Sequence, residues 1–147
     1  MRVYFDSSAL VCLYVAEPHS EKVLDFVVAL RRPILVNSLQ DFEVRNSIRQ
    51  KVVRGEIDEG MTAGCLRELD DDLIRGRIVR KPVVWEAVFE RAEGLSQRVA
   101  LRGQARAIDL LHVAVAAMSD VRRFATLDDL QARVAQAAGL EVVPLKP

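Results

Sequence analysis

The sequence predicts an α/β domain, a three-layer α/β/α sandwich with a mostly parallel central sheet. Three observations carry that prediction. Short runs rich in β-branched and aromatic residues recur along the 147 residues, each ending at a turn or capping residue. Longer segments with apolar residues at helical spacing separate them. Strands alternating with helices favour parallel pairing with helices on both faces. No repeat, linker or low-complexity stretch interrupts the pattern, so residues 1–147 read as a single domain large enough to bury a core.

The first strand is Val3-Tyr4-Phe5, which stops at Asp6; Ser7 or Ser8 then stands where a helix N-cap would stand. Ala9 to Ala16 is apolar nearly all round and reads as a buried helix closed by Pro18. Ser20 caps the next helix, with Val23, Leu24, Val27 and Val28 as its core stripe. Pro33 to Asn37 is the second strand. Ser38 with Asp41 resembles a capping box and starts a helix from Leu39 to about Gly55. Ile57 to Ile74 is helical but broken by glycines, with Asp70-Asp71-Asp72 as solvated surface. Arg77 to Val84 supplies a third strand, and Val84 to Val99 an amphipathic helix. Ala105 to Met118 is a second strongly apolar helix, interrupted only by Asp109 and His112. Arg123 to Thr126 is a short strand, Asp128 or Asp129 starts a helix that Gly139 ends, and Leu140 to Leu145 is a last strand with an edge proline.

Lys and Arg number 21 and Asp and Glu 21, so the formal net charge of zero excludes a generally basic nucleic-acid binder but leaves room for a local basic face. The two cysteines, Cys12 and Cys65, fall in helical segments, which suits a reduced intracellular protein. No secretory leader opens the chain and no apolar run reaches membrane length, so a cytoplasmic location with no membrane partner is expected.

Four carboxylates stand where the pattern calls for apolar or capping residues. Asp6 ends a buried strand, where it is either a turn residue or a ligand. Glu43 lies on the stripe Leu39, Phe42, Glu43, Asn46, where it either pairs with Arg45 or Arg49 or faces a site. Asp109 is surrounded by apolar residues, and an unpaired buried carboxylate costs several kcal/mol. Its cation is Arg106, three residues earlier, or a metal ion. Asp128 follows a strand and precedes a helix, and Asp129 beside it leaves the choice between the two open. In a parallel sheet, residues just past adjacent strands converge on one edge. Several carboxylates sharing a small site raise one another's pKa unless a cation neutralises them. Mg²⁺ or Mn²⁺ does so with oxygen ligands alone and suits phosphodiester hydrolysis. Thr126, with Ser7 or Ser8, adds hydroxyls able to orient a carboxylate or a water. The histidines build no rival site: His19 falls in a loop, and His112 reads as a packed helix residue.

These pieces together resemble a PIN-domain ribonuclease of the VapC toxin type. The matching stretches are Tyr4-Phe-Asp-Ser-Ser-Ala-Leu10, Asp41-Phe-Glu-Val-Arg-Asn46, Ala107-Ile-Asp-Leu-Leu-His-Val-Ala114 and Phe124-Ala-Thr-Leu-Asp128, in order over the full length. The resemblance implies an acidic quartet of Asp6, Glu43, Asp109 and Asp128, accompanied by Ser7 and Thr126. It implies a Mg²⁺- or Mn²⁺-dependent endoribonuclease acting on structured RNA, transfer RNA or a ribosomal RNA loop. It further implies a homodimer held inactive by a small cognate antitoxin. Cations around an acidic pocket help to hold RNA, which gives Arg45, Arg49 and Arg106 a role as candidate RNA contacts.

Two other α/β chemistries fit less well. A haloacid-dehalogenase-like phosphate-transfer site needs a second Asp two residues after the first, where this chain has Ser8. A receiver domain needs a lysine near the last strand, where only Lys146 is at hand. The alternative from a different class is a PIN-like fold that no longer cuts and serves as an RNA- or protein-binding module.

Overall fold

The computed structural model of the chain describes residues 2–146. Every strand pairing in it is parallel, in the helix-rich α/β class that the alternating pattern predicts. Two compact units divide the chain, one formed by the residues up to Asp6 together with Val83–Leu145, the other by Ser7–Pro82.

The first unit contains β1 (Val3–Phe5), α5 (Trp85–Val99), α6 (Ala107–Met118), β4 (Arg123–Ala125), α7 (Asp129–Ala137) and β5 (Glu141–Val142). Its sheet has the order β1-β4-β5. Tyr4 stands opposite Phe124 and Phe5 opposite Ala125, and the Asp6 backbone N–H donates to the Ala125 carbonyl at 3.0 Å. The two strands therefore end level with each other, and the residues that follow them, Asp6 and Thr126, emerge side by side. Parallel pairing of such short strands depends on the layer that covers them. Here α6 presents Val113, Ala114, Val115 and Ala116, all buried, and α5 adds Val88 and Leu95. Full burial of a residue like Leu95 is worth about 1.5–3 kcal/mol. Tyr4 stacks on Phe124, with ring centroids 5.2 Å apart. Its hydroxyl meets Nδ1 of His112 at 2.8 Å, so this histidine is the packed helix residue that the sequence suggests.

The second unit contains α1 (Ser7–Val11), α2 (Ser20–Leu30), β2 (Ile34–Val36), α3 (Ser38–Val53), α4 (Glu59–Ile74) and β3 (Ile78–Arg80). Ile34 stands opposite Ile78 in its two-stranded sheet. Several local expectations are corrected here. The first helix is one short turn-and-a-half that starts at Ser7 and ends at Val11, not a helix through Ala16. The cap of α3 is Asn37, not Ser38. Its side-chain oxygen accepts from the Leu39 and Gln40 N–H groups, and Gln40 Oε1 accepts from the Asn37 N–H. The stripe expected on α2 is largely in water, since Val23 is buried but Leu24 and Val28 are exposed. Helix α4 runs unbroken through Gly60 and Gly64; a glycine costs a helix only about 1 kcal/mol, which packing against α3 offsets.

Ion pairs tie this second unit together. Lys51, buried on α3, pairs with Glu17 and Glu56. Asp70 and Asp72 are not plain surface: Asp70 takes Arg45, and Asp72 accepts from the Tyr14 hydroxyl at 3.1 Å and from Arg77. Cys12 and Cys65 are free thiols. No helix among the described residues is long and apolar enough to cross a membrane.

Candidate active site

The level ends of β1 and β4 begin a continuous chain of polar contacts in the first unit. Thr126, just past β4, is buried, and its Oγ1 donates to Oδ2 of Asp6 at 2.5 Å. The same oxygen accepts from the Asp128 N–H at 3.0 Å. One hydroxyl thus fixes both the rotation of the Asp6 carboxylate and the turn that leads into α7.

Asp128 is the N-cap of α7. Its Oδ1 accepts from the N–H groups of Leu130 (2.8 Å) and Gln131 (3.1 Å), two of the donors that a helix start leaves without intrahelical partners. Its other oxygen, Oδ2, turns to the Arg106 guanidinium at 2.5 Å. Burial alone would raise the Asp128 pKa; the Gln131 N–H and then Arg106 outweigh it and hold the carboxyl below its ordinary range. Asp129 is the first residue of α7 and is exposed, so of the two neighbours it is Asp128 that meets Arg106.

Asp109 lies in the first turn of α6 and is only 2% exposed. Arg106, the N-cap of α6, grips it two-pronged: Nε donates to Oδ2 at 2.9 Å and one terminal nitrogen to Oδ1 at 3.0 Å. The Arg106 backbone N–H also donates to Oδ2, at 3.2 Å. The local spacing of three residues makes this pairing natural, and the bidentate geometry is the strong form of the contact. Arg106 is thus a cation paired directly with Asp109. Asp109 first and Asp128 second hold the guanidinium still more firmly protonated.

Sequence reasoning did not single out Gln131. It is buried, and its Nε2 donates to the Asp109 carbonyl at 3.1 Å, tying the start of α7 to the start of α6. The signal was there: Gln131 falls on the same helical stripe as the buried Val134 and Ala135, where a polar residue needs a partner.

The remaining expected residues lie in the second unit. Ser7 opens α1 and is half-buried; Glu43 is half-buried on α3. Arg45 is engaged by Asp41 at 2.8 Å and Asp70 at 2.7 Å. Arg80 joins Asp41 from β3 at 2.8 Å. Burial would raise the Asp41 pKa, but Arg45 and Arg80 together lower it. Arg49 is exposed on α3.

The donor set of Asp6, Asp109 and Asp128, with the Thr126 hydroxyl beside it, consists wholly of hard oxygens, which suits Mg²⁺ or Mn²⁺ and not a soft or thiophilic metal. As the side chains stand, no group of three or more acidic, histidine or cysteine residues among the described residues is gathered as a metal cage. Between Asp109 and Asp128 the positive charge is the guanidinium of Arg106.

Comparison with known proteins bears on the fold and family. The PIN domain family matches residues 3–137. Among solved structures, FitAcB from Neisseria gonorrhoeae is similar, with a TM-score of 0.65 and 16% sequence identity over 99% of this chain and 98% of the other. At that identity the likeness speaks for the fold. No curated protein sequence matches the chain.

Proposed function

The chain belongs to the PIN-domain family, and from that premise we propose that it is a Mg²⁺- or Mn²⁺-dependent endoribonuclease, the toxin of a toxin–antitoxin pair, that hydrolyses structured RNA of the transfer- or ribosomal-RNA class. PIN domains are generally nucleases and typically use divalent metal ions. The observation that carries the reading is the linkage of Asp6, Asp109 and Asp128 through Thr126 and Arg106, beside the ends of two adjacent parallel strands. Open parallel sheets hold their chemistry at that position.

In this reading Asp6, Asp109 and Asp128 hold the ion, and Glu43 joins the proposal on the strength of its sequence motif alone. A bound Mg²⁺ or Mn²⁺ supplies an activated water and neutralises charge on the scissile phosphate. The chain's own residues do the positioning. Thr126 locks the Asp6 carboxylate, and Ser7 is its covalent neighbour. Asp128 has Oδ1 committed to the α7 N–H groups, which leaves Oδ2 as the oxygen offered to a cation. Gln131 keeps the α6 and α7 starts together, so that Asp109 and Asp128 stay within reach of one charge. Arg49, exposed, is the candidate RNA contact in the second unit, whereas Arg45 has to leave Asp41 and Asp70 before it meets a phosphate. A small antitoxin partner and a homodimer complete the proposal.

The test is cleavage of total RNA by the purified protein in Mn²⁺ or in EDTA, beside Asp6→Asn, with new 5′ ends mapped. Cleavage that needs the metal and disappears in Asp6→Asn is the expected result. RNA that is bound equally well in EDTA and by Asp6→Asn, without being cut, overturns the reading in favour of a binding module.

A further inference from the structure

Both carboxylate oxygens of Asp109 are already in hydrogen bonds to Arg106, side chain or backbone, and the one Asp128 carboxylate oxygen not committed to the α7 N–H groups is bonded to the same guanidinium. We propose that Arg106 is an internal counter-ion that occupies the metal's place, so that metal binding and the Arg106 contacts with Asp109 and Asp128 are mutually exclusive. The inference rests on the metal-dependent reading of the site and names how that site is regulated.

Three features of the geometry argue for exchange and against a permanent structural pair. The first is the asymmetry of burial: Asp109 is 2% exposed, whereas the Arg106 side chain is 52% exposed. The acid cannot move into water, but the guanidinium can, by rotating its flexible stem. The second is that Asp109 cannot be left without a cation, because a lone buried carboxylate is costly. One positive charge must therefore be present at all times, which makes the exchange a handover. The third is that Arg106 spans two acids from separate helices, as a bridging ion would. A divalent ion placed between the same two carboxylates repels the guanidinium at contact distance, so the two cations do not share the position. The metal-free protein is thereby kept folded with its acids neutralised, and metal affinity is set partly by what Arg106 gives up.

The experiment is Mn²⁺ binding, followed by electron paramagnetic resonance of the free ion, for the wild type and Arg106→Gln, with thermal unfolding of both in the absence and presence of Mn²⁺. Arg106→Gln removes the competitor, and its Mn²⁺ dissociation constant is expected to fall by about tenfold or more, since charge-assisted contacts no longer need to be broken. Without metal this variant is expected to unfold at a lower temperature than the wild type, and Mn²⁺ is expected to close the gap. Equal or weaker Mn²⁺ binding by Arg106→Gln overturns the exchange while leaving the metal-dependent reading intact. Absence of Mn²⁺ binding by both proteins overturns the metal-dependent reading and the exchange with it. If Arg106→Gln fails to fold, Arg106→Lys carries the same comparison. It keeps the charge but cannot grip two carboxylates in a fork, and binding no tighter than wild type overturns the exchange.

Discussion

Replacing Thr126 by valine removes one oxygen and keeps the shape of the side chain. That oxygen donates to the carboxylate of Asp6, which is 4% exposed, and accepts from the Asp128 N–H. A hydrogen bond to a charged group is worth about 1.5–3 kcal/mol, and stranding a buried N–H costs about 1–3 kcal/mol more. The two together put Thr126→Val about 2.5–6 kcal/mol below the wild type. Thr126→Ser keeps the hydroxyl and loses a buried methyl, worth about 1 kcal/mol. Urea denaturation separates the two cases. With a slope of about 1–3 kcal/mol per molar for a domain of this size, the valine variant should unfold at least about 0.5 M earlier than the serine variant. Valine and serine variants that unfold together would refute the role given to the Thr126 hydroxyl, and with it the claim that the level strand ends lock Asp6 in place.

Gln131→Leu strips the donor from the Asp109 carbonyl and should cost about 1 kcal/mol in urea denaturation; a neutral result would show that the α6 and α7 starts hold together without it. Arg54 first and Lys51 second lower the Glu56 carboxyl from 4.5 to about 2. Its folded-state pKa lies below the unfolded one, so it adds stability above about pH 4.5 that is lost as the pH falls towards 2. Glu56→Gln should therefore flatten the acid limb of the stability–pH profile between those values and leave the profile near pH 7 unshaped. Burial, then Glu17, pushes the Cys12 thiol up to about 11, while Cys65 is less buried. A thiol reagent at pH 8 should label Cys65 before Cys12, and mass mapping that shows the reverse order would contradict the packing around Cys12.

What the sequence reveals of this molecule follows the range of the interactions involved. Asp6 and Asp128 stand at junctions between strand and helix, and such junctions are written in a few consecutive residues. The Arg106 pairing with Asp109 spans one helical turn and is legible for the same reason. The extension of that pairing to Asp128, 22 residues away, depends on where α7 starts in space and leaves no local trace. Periodicity fails in a different way on α2. It finds the stripe of Val23, Leu24, Val27 and Val28 but not what the stripe packs against, and Leu24 and Val28 face water. Asn37 and Ser38 are both good caps, so sequence alone does not separate them; the end of β2 at Val36 leaves Asn37 as the cap of α3. The glycines of α4 lower helix propensity, yet tertiary packing overrides a penalty of that size.

The pairing of β1 with β4 joins residues about 120 positions apart in the chain. At a synthesis rate of about 5–20 residues per second, Val3–Phe5 is synthesised roughly 6–24 s before its partner strand. Until then Asp6 has no Thr126 beside it, and Asp128 does not yet exist. A nascent or prematurely ended chain that stops short of β4 therefore carries neither Thr126 nor Asp128, and the linkage of Asp6, Asp109 and Asp128 on which the proposed nuclease reading rests forms only once β4 and the start of α7 have been made.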